Sequence, residues 1–352
     1  MTTHLEIAIV GAGIAGITCA RELQAAGYQG IGIFEKSRGV GGRLTTRRMF
    51  DTCVDRGTCY ISPQGEEFRK LFDRLIAANI VTPWTDRVHT LTPAGRMLPN
   101  SDIYPRYVAP GGMNQIAKYL AADLNLSFGQ RAISIQPQGN MWRLQLDGNE
   151  PAEILAYTVI LAIPAPQAVD LLTPVANLLP IKFFNDLKSI EFYPSIALAA
   201  GYTPLQLAEW EAAYPHVKSV TCSDDSILAW LGLDSSKRRQ PVPPVFVLQS
   251  TAEFAAKYPH PQDTTLASVL MLERASERLF PWFQDFQWQE PHLWRYAIPK
   301  LPQPLSSELR STDLYLSIDT PAPLFCMGDW CRGRKVEDAF LSGLAVARVL
   351  RD

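Results

Sequence analysis

Residues Ile7 to Thr46 read IAIVGAGIAGITCARELQAAGYQGIGIFEKSRGVGGRLTT, and this stretch decides the fold. Leu5 to Val10 is short, apolar and rich in β-branched residues, the composition of a strand buried on both faces. Gly11, Gly13 and Gly16 follow in a G-x-G-x-x-G spacing, with Ala12, Ile14 and Ala15 between them. Gly11 permits a tight turn, Gly13 lets backbone approach a pyrophosphate, and Gly16 lets the next helix pack close to the strand. That helix is expected over Ile14 to Ala26, with Gly27 as its stop, and its first N–H groups and positive dipole end face the phosphates. Ile31 to Phe34 is the second strand. Glu35 at its end can accept hydrogen bonds from both hydroxyls of an adenosine ribose, and Lys36 beside it is counted with the same site.

A second glycine cluster, Gly39-Val40-Gly41-Gly42-Arg43-Leu44-Thr45-Thr46, comes directly afterwards. NAD alone needs no such loop after the ribose-binding acid. FAD does, because its pyrophosphate and ribityl chain continue past it. The run Gly41-Gly42-Arg43 resembles the GG motif of the monoamine oxidase and carotenoid desaturase superfamily, whose loop backbone and arginine lie close to the flavin cofactor. The stretch Asp55-Arg56-Gly57-Thr58-Cys59-Tyr60-Ile61 resembles the segment that passes near the flavin in the same superfamily. Gly57 there allows close backbone approach, and Tyr60 is a candidate for the substrate side.

Farther along, Glu66 to Ala78 is an amphipathic helix with Phe68, Leu71, Phe72, Leu75 and Ile76 on one stripe. Thr82 to Pro105 reads as short strands and turns. The turn Val108-Ala109-Pro110-Gly111-Gly112-Met113 leads into a helix from Asn114. Leu126 to Ile135 is expected as one strand; in the resembling flavoproteins the position of Ala132 sets its backbone against the adenine. Val159 to Ile163 belongs to a buried parallel strand, and Pro164-Ala165-Pro166 marks the exit from the cofactor domain. Leu171 to Pro299 carries no nucleotide feature and reads as an antiparallel sheet with helices. Leu324 to Met327 is a late strand followed by Gly328-Asp329 and a helix opening at Val336. In flavoproteins of this build the carboxylate at the position of Asp329 lies near the ribityl chain or pyrophosphate. The helix that Val336 begins points its N-terminus at the flavin pyrimidine oxygen. Gly343 allows tight packing against the first glycine turn.

The order of IVGAGIAG, GGRLTT, DRGTCYIS, YVAPGGMNQIAKYL, LAIPAPQ, WRY and GDW…EDAFLSG resembles the renalase family and its bacterial members. The resemblance implies an α/β fold: a Rossmann-type, p-hydroxybenzoate hydroxylase-like FAD-binding domain (1–65, 106–170 and 300–352) with an α+β antiparallel-sheet substrate domain (66–105 and 171–299). It also implies non-covalent FAD, despite Cys326 and Cys331. The implied reaction is oxidation of 2- or 6-dihydro isomers of β-NAD(P)H, with O2 converted to H2O2. Hydride release from a dihydropyridine restores aromaticity and removes no proton, so no catalytic acid or base is required and none is assigned. Trp294 and Tyr296 are candidates for an aromatic wall or for core packing. Arg295 is the first candidate for the substrate pyrophosphate, or else an interdomain salt bridge, and Lys237-Arg238-Arg239 the second, with a solvated loop as the preferred reading of that triplet.

Composition sets limits. The chain of 352 residues is 47% hydrophobic and 19% charged, enough apolar material for a large core and too little charge for disorder. A net charge of −2 gives nucleic-acid binding no electrostatic support. No leader and no membrane-spanning run is read, which points to a cytoplasmic location. The six cysteines and five histidines are scattered, suggesting free thiols and no metal. Two other readings stay open: an amine oxidase or carotenoid-desaturase relative, for which Lys182 and Lys218 are available and Leu171 to Phe184 could face a membrane, and a flavin-bound scaffold with little turnover.

Overall fold

The computed structural model describes residues 2–148, 152–300, 314–319 and 321–351. Residues 301–313 lie outside them, so the expected return of the chain to the cofactor domain near residue 300 falls at the edge of what is described.

Two sheets organise the molecule. Among the described residues the first has eight strands, in the order Gln130–Gln138, Met141–Gly148, Ala152–Leu161, Thr2–Val10, Ile31–Glu35 and Leu126–Phe128. Leu324–Met327 lies along the second half of Ala152–Leu161, and Tyr315–Ile318 pairs with it. The strands from Leu324–Met327 to Leu126–Phe128 run parallel. Ile31–Glu35 is buried at every residue, as a central parallel strand covered on both faces must be. The glycine turn and the helix Ile14–Ala25 follow the first strand directly, so the cofactor fingerprint sits at the C-terminal edge of the parallel strands.

Leu126 to Ile135 is not one strand. Gly129, at φ +66°, breaks it: Leu126–Phe128 stays in the parallel sheet, and Gln130–Gln138 turns off into an antiparallel meander that carries Ala132. The helix of residues 66–77 buries Phe68, Leu71, Phe72 and Leu75, while Ile76 is exposed.

The second sheet runs Trp288–Lys300, Glu191–Gly201, Val245–Ser250, Leu228–Leu233, Ser219–Cys222, His89–Leu91 and Met97–Pro99. It is antiparallel except where Ser219–Cys222 pairs in parallel with His89–Leu91. Its two faces serve different cores. Leu198, Ala200, Phe246 and Leu248 face the helices, with Trp210, Ala267 and Met271. Ala199, Val245, Val247 and Trp230 face the cofactor side, with Leu44, Val54 and Cys59. This is the period-two alternation of a strand buried on both sides. Within 66–105 the elements divide. Phe68 packs on Phe340 of the C-terminal helix with ring centroids 5.3 Å apart, Thr82–Thr85 pairs with Arg106–Val108, and the strands of residues 89–99 join the second sheet.

Within Leu171 to Phe184, Leu171, Leu172, Val175, Leu179 and Phe183 are buried, and Leu178 and Ile181 are exposed. No helix of the described residues is long and apolar enough to cross a membrane.

The C-terminal helix Val336–Arg351 lies on Ile14–Ala25, and Gly343 makes this possible: a Cβ there would come 2.4 Å from Ala15 O and 3.1 Å from Thr18 Cβ. Gly343→Ala is expected to lose about 1–3 kcal/mol of stability to overpacking, outweighing any gain in helix propensity. A urea titration should show a lower midpoint at an unchanged slope.

Candidate functional site

The two glycine loops interlock. Gly11 adopts φ +106°, and a Cβ there would meet Ala162 O at 2.6 Å; one at Gly16 would meet Gly11 O at 2.2 Å. Gly41, at φ +114°, donates its N–H to Ala12 O at 2.8 Å, and the place of a Cβ on Gly42 lies 3.6 Å from Gly13 Cα. Gly13, by contrast, faces open space, with no atom within 4 Å of where its Cβ would be. The helix behind it has no side-chain cap and no acid in its first turn, so the N–H groups of Ile14, Ala15 and Gly16 keep their positive end for an outside anion. Glu35 is buried; it accepts Ala12 N–H at 2.9 Å through one oxygen and Ser37 N–H at 2.8 Å through the other. A cavity of about 210 Å³ opens beside it, lined by Gly11, Glu35, Lys36, Arg131, Ala132 and Gln167. An open anion-binding turn, a fixed carboxylate and an adjoining cavity fit the adenosine diphosphate half of FAD.

Arg43 extends this cradle. Its guanidinium pairs with Asp329 and donates to Ala297 O at 2.9 Å, tying the second glycine loop to the late strand and to the second sheet. Gly57 packs against the same loop, where a Cβ would lie 2.0 Å from Arg43 O. Gly328 donates its N–H to Ser342 Oγ at 3.0 Å. Val336 opens the C-terminal helix, and the next two residues are acids. Glu337 accepts from Gln64 N and Gly65 N, and Asp338 from Arg334 N and Lys335 N. Two carboxylates at this helix end offset part of its positive dipole.

The substrate-side candidates separate. Trp288, Glu290, His292 and Trp294 alternate onto one face of their strand, and a bulge between Trp294 and Ile298, opposite Tyr193 to Ser195, interrupts the alternation beyond them. Trp294 Nε1 donates to Arg56 O at 2.9 Å, and Tyr296 meets Phe192 edge-on with centroids 5.7 Å apart. Arg295 lies in that bulge, exposed and without an ion pair among the described residues. The expected alternative of an interdomain salt bridge at Arg295 is therefore corrected, since the side chain is exposed and pairs with no carboxylate among the described residues. The Tyr60 ring lies 6.1 Å from that of Trp84 and 6.5 Å from that of Trp230, beneath Arg106.

The basic triplet is also corrected. Lys237 and Arg238 are not in a solvated loop; they form a buried knot with Asp55 and Asp234. Lys237 Nζ lies 2.6 Å from Asp234 and 3.3 Å from Asp55, and Arg238 lies 3.1 Å from Asp55. Asp55 also accepts Met113 N–H at 2.8 Å and the Thr46 hydroxyl at 2.7 Å. The knot joins the flavin-motif hairpin, the turn before helix Asn114–Leu120, and the second sheet. Arg239 alone is exposed, donating to Asn79 O. Lys182 pairs with Asp186, and Lys218 donates to Trp84 O at 2.8 Å.

Four residues with no assigned role in the sequence reading stand at this face. Gln249 Nε2 donates to Gly57 O at 2.9 Å, and nothing in its local sequence signals this. Arg56 and Glu290 pair at 3.3 Å, and His292 lies edge-on to Trp294 with centroids 4.5 Å apart. Burial, helped by the Arg56 charge, pushes the His292 pKa down to about 4, so the imidazole is neutral near pH 7.

Parallel sheet, interlocked glycine loops and adenosine-side cavity define a dinucleotide-binding oxidoreductase that uses FAD. A family model described as flavin containing amine oxidoreductase matches residues 84–351, and one described as an NAD(P)-binding Rossmann-like domain matches 9–75. The chain belongs to the flavin containing amine oxidoreductase family. It is similar to renalase of Mus musculus, 24% identical over 363 residues with 98% of each chain covered. Its fold is similar to that of putrescine oxidase bound to putrescine (TM-score 0.71, 12% identity, 99% of each chain). It is likewise similar to that of a putative protoporphyrinogen oxidase from Exiguobacterium sp. 255-15 (TM-score 0.70, 13% identity, 99% and 98% covered).

Burial alone would raise the Asp55 pKa, but Lys237, Arg238 and the bonds from Met113 and Thr46 outweigh it and hold the carboxyl below its usual range. A carboxylate depressed in the folded state contributes stability that is complete above its unfolded value, about 3.9, and is lost as pH falls toward the folded one. Wild-type stability should therefore fall with pH below about 4. Asp55→Asn should flatten that limb and cost about 3–5 kcal/mol at pH 7 by leaving a buried cation unpaired, as denaturant titrations across pH would measure.

Proposed function

We propose that the chain oxidises 2- or 6-dihydro isomers of β-NAD(P)H to β-NAD(P)+, with O2 as electron acceptor, as a metabolite-repair enzyme. The similarity to renalase along nearly the whole chain supports this reading. So does the observation that carries it: the face meeting the cofactor loops presents Trp294, Gln249 and a neutral His292, while Lys182 and Lys218 are engaged elsewhere. Bound FAD would accept the hydride and pass the electron pair to O2, which leaves as H2O2 after taking up protons.

The residues of the chain bind and orient. Gly11 to Gly16 hold the pyrophosphate by backbone N–H groups, Glu35 holds the ribose, and Lys36 and Ala132 border the adenine. Gly41, Gly42, Arg43, Gly57, Gly328 and Asp329 shape the passage for the ribityl chain, and Val336 begins the helix behind the flavin. Trp294 and Tyr296 exclude water from the reacting face, and Tyr60 closes the space near Trp84 and Trp230. No residue needs to take a proton from the donor carbon, since the dihydropyridine releases hydride alone. Segments 1–65, 106–170 and 300–352 serve the cofactor, and 66–105 and 171–299 the substrate. Attachment is non-covalent: burial pushes the Cys326 and Cys331 thiols well above their ordinary pKa, away from the thiolate that a flavin link needs.

A second reading, oxidation of an amine, draws on the family description and predicts a different donor. Anaerobic mixing separates the two. The visible flavin band should bleach with 6-dihydro-NAD or 6-dihydro-NADP and persist with putrescine. Bleaching by putrescine alone contradicts the proposal. Glu35→Ala should weaken FAD binding by about ten- to hundredfold, read by flavin fluorescence, through loss of charge-assisted hydrogen bonds to the ribose.

A further inference from the structure

We propose that Arg56 and Arg47 form the subsite for the substrate's phosphates, with Glu290 as the resident counter-ion that a phosphate displaces. This rests on the dihydronicotinamide reading above and names the cations that reading requires.

Both arginines belong to one hairpin. Arg47 lies on Thr46–Met49, and Arg56 follows Thr52–Asp55 directly. Both reach the same oxygen of Glu290, Arg56 at 3.3 Å and Arg47 at 3.9 Å. Two guanidiniums on one carboxylate leave an excess positive charge, and His292 beside them is neutral and cannot alter it. Arg56 is the more committed of the two. Its side chain is 11% exposed, and its Nε is buried with no hydrogen-bond partner among the described residues. A buried donor left unmatched is costly, and an incoming oxyanion would satisfy it.

Position supports the assignment. Along the strand Trp288–Lys300, Ala297 O receives Arg43 from the cofactor loop, Trp294 donates to Arg56 O, Glu290 meets Arg56 and Arg47, and Trp288 stacks on exposed Phe50 at 4.7 Å. Glu290 lies toward the end of the strand where Arg47 and Phe50 are exposed. Trp294 and Glu290 lie four positions apart on one face, about 13 Å along a strand. A nicotinamide held near Trp294 would extend its ribose and phosphates toward Glu290. Among the other basic side chains, Lys237 and Arg238 are already matched by Asp55 and Asp234, and Arg295 is exposed and gathers no second cation or counter-ion among the described residues. A cationic mouth also disfavours small diamines, which would approach against like charge.

The test compares kcat/KM for 6-dihydro-NAD with that for the corresponding dihydronicotinamide riboside, which lacks phosphates. Arg47→Ala, Arg56→Ala and the double variant should lower the ratio of dinucleotide to riboside, by about ten- to hundredfold in the double variant. Glu290→Gln should lower KM for the dinucleotide. If Arg56→Ala fails to fold, exposed Arg47 and Glu290 still decide the matter. Dinucleotide oxidation with a ratio unchanged in the variants overturns the subsite alone; a wild type that oxidises neither compound overturns the dihydronicotinamide reading along with it.

Discussion

The close approach of two glycine loops is the constraint on which this structure rests. Backbone meets backbone where Gly41 donates to Ala12 and Gly42 lies over Gly13, and again where Gly57 presses on Arg43. A side chain at Gly57 would force the segments apart, because its Cβ would stand only 2.0 Å from a carbonyl oxygen, and Gly41 and Gly42 hold positive φ values, +114° and +55°, that other residues rarely adopt. What remains is a surface of N–H groups with open space above Gly13, bordered by Glu35 on one side and the Arg43–Asp329 pair on the other. An elongated, doubly anionic cofactor suits such a surface better than a compact one does.

The second sheet is coupled to this cradle by charge as well as by apolar contact. Asp55, Asp234, Lys237 and Arg238 cancel one another in the interior, so the knot fixes geometry without leaving net charge beside the flavin loops. Removing one member costs far more than the assembled set contributes, which makes such a knot a specific latch rather than a large source of stability. The charge left over at the site, on Arg56 and Arg47, stands nearer the surface.

Much of the cofactor half was legible because its signals are local. The G-x-G-x-x-G turn, the acid after the second strand and the second glycine run are fixed by spacing within some forty residues. The substrate half depends on register, which sequence does not carry. Trp294-Arg295-Tyr296 reads as one motif, yet a bulge in the pairing with Glu191–Gly201 falls within it and leaves its middle residue exposed. Lys237 and Arg238 look like a solvated run because one partner, Asp55, is far away in sequence. Leu126 to Ile135 reads as continuous because a single glycine at positive φ, Gly129, is what separates two strands that stand at opposite ends of one sheet. Gln249 carries no sequence signal at all; only the fold brings it to Gly57.

The central claim is that the chain grips its flavin from both ends, adenosine as well as ring. Titrating the flavin-free protein with FAD and with FMN, and following flavin fluorescence, tests it most directly. FAD should bind at least about a hundredfold more tightly, since FMN lacks the groups that Glu35 and the neighbouring cavity receive. Equal affinity for the two would contradict the account.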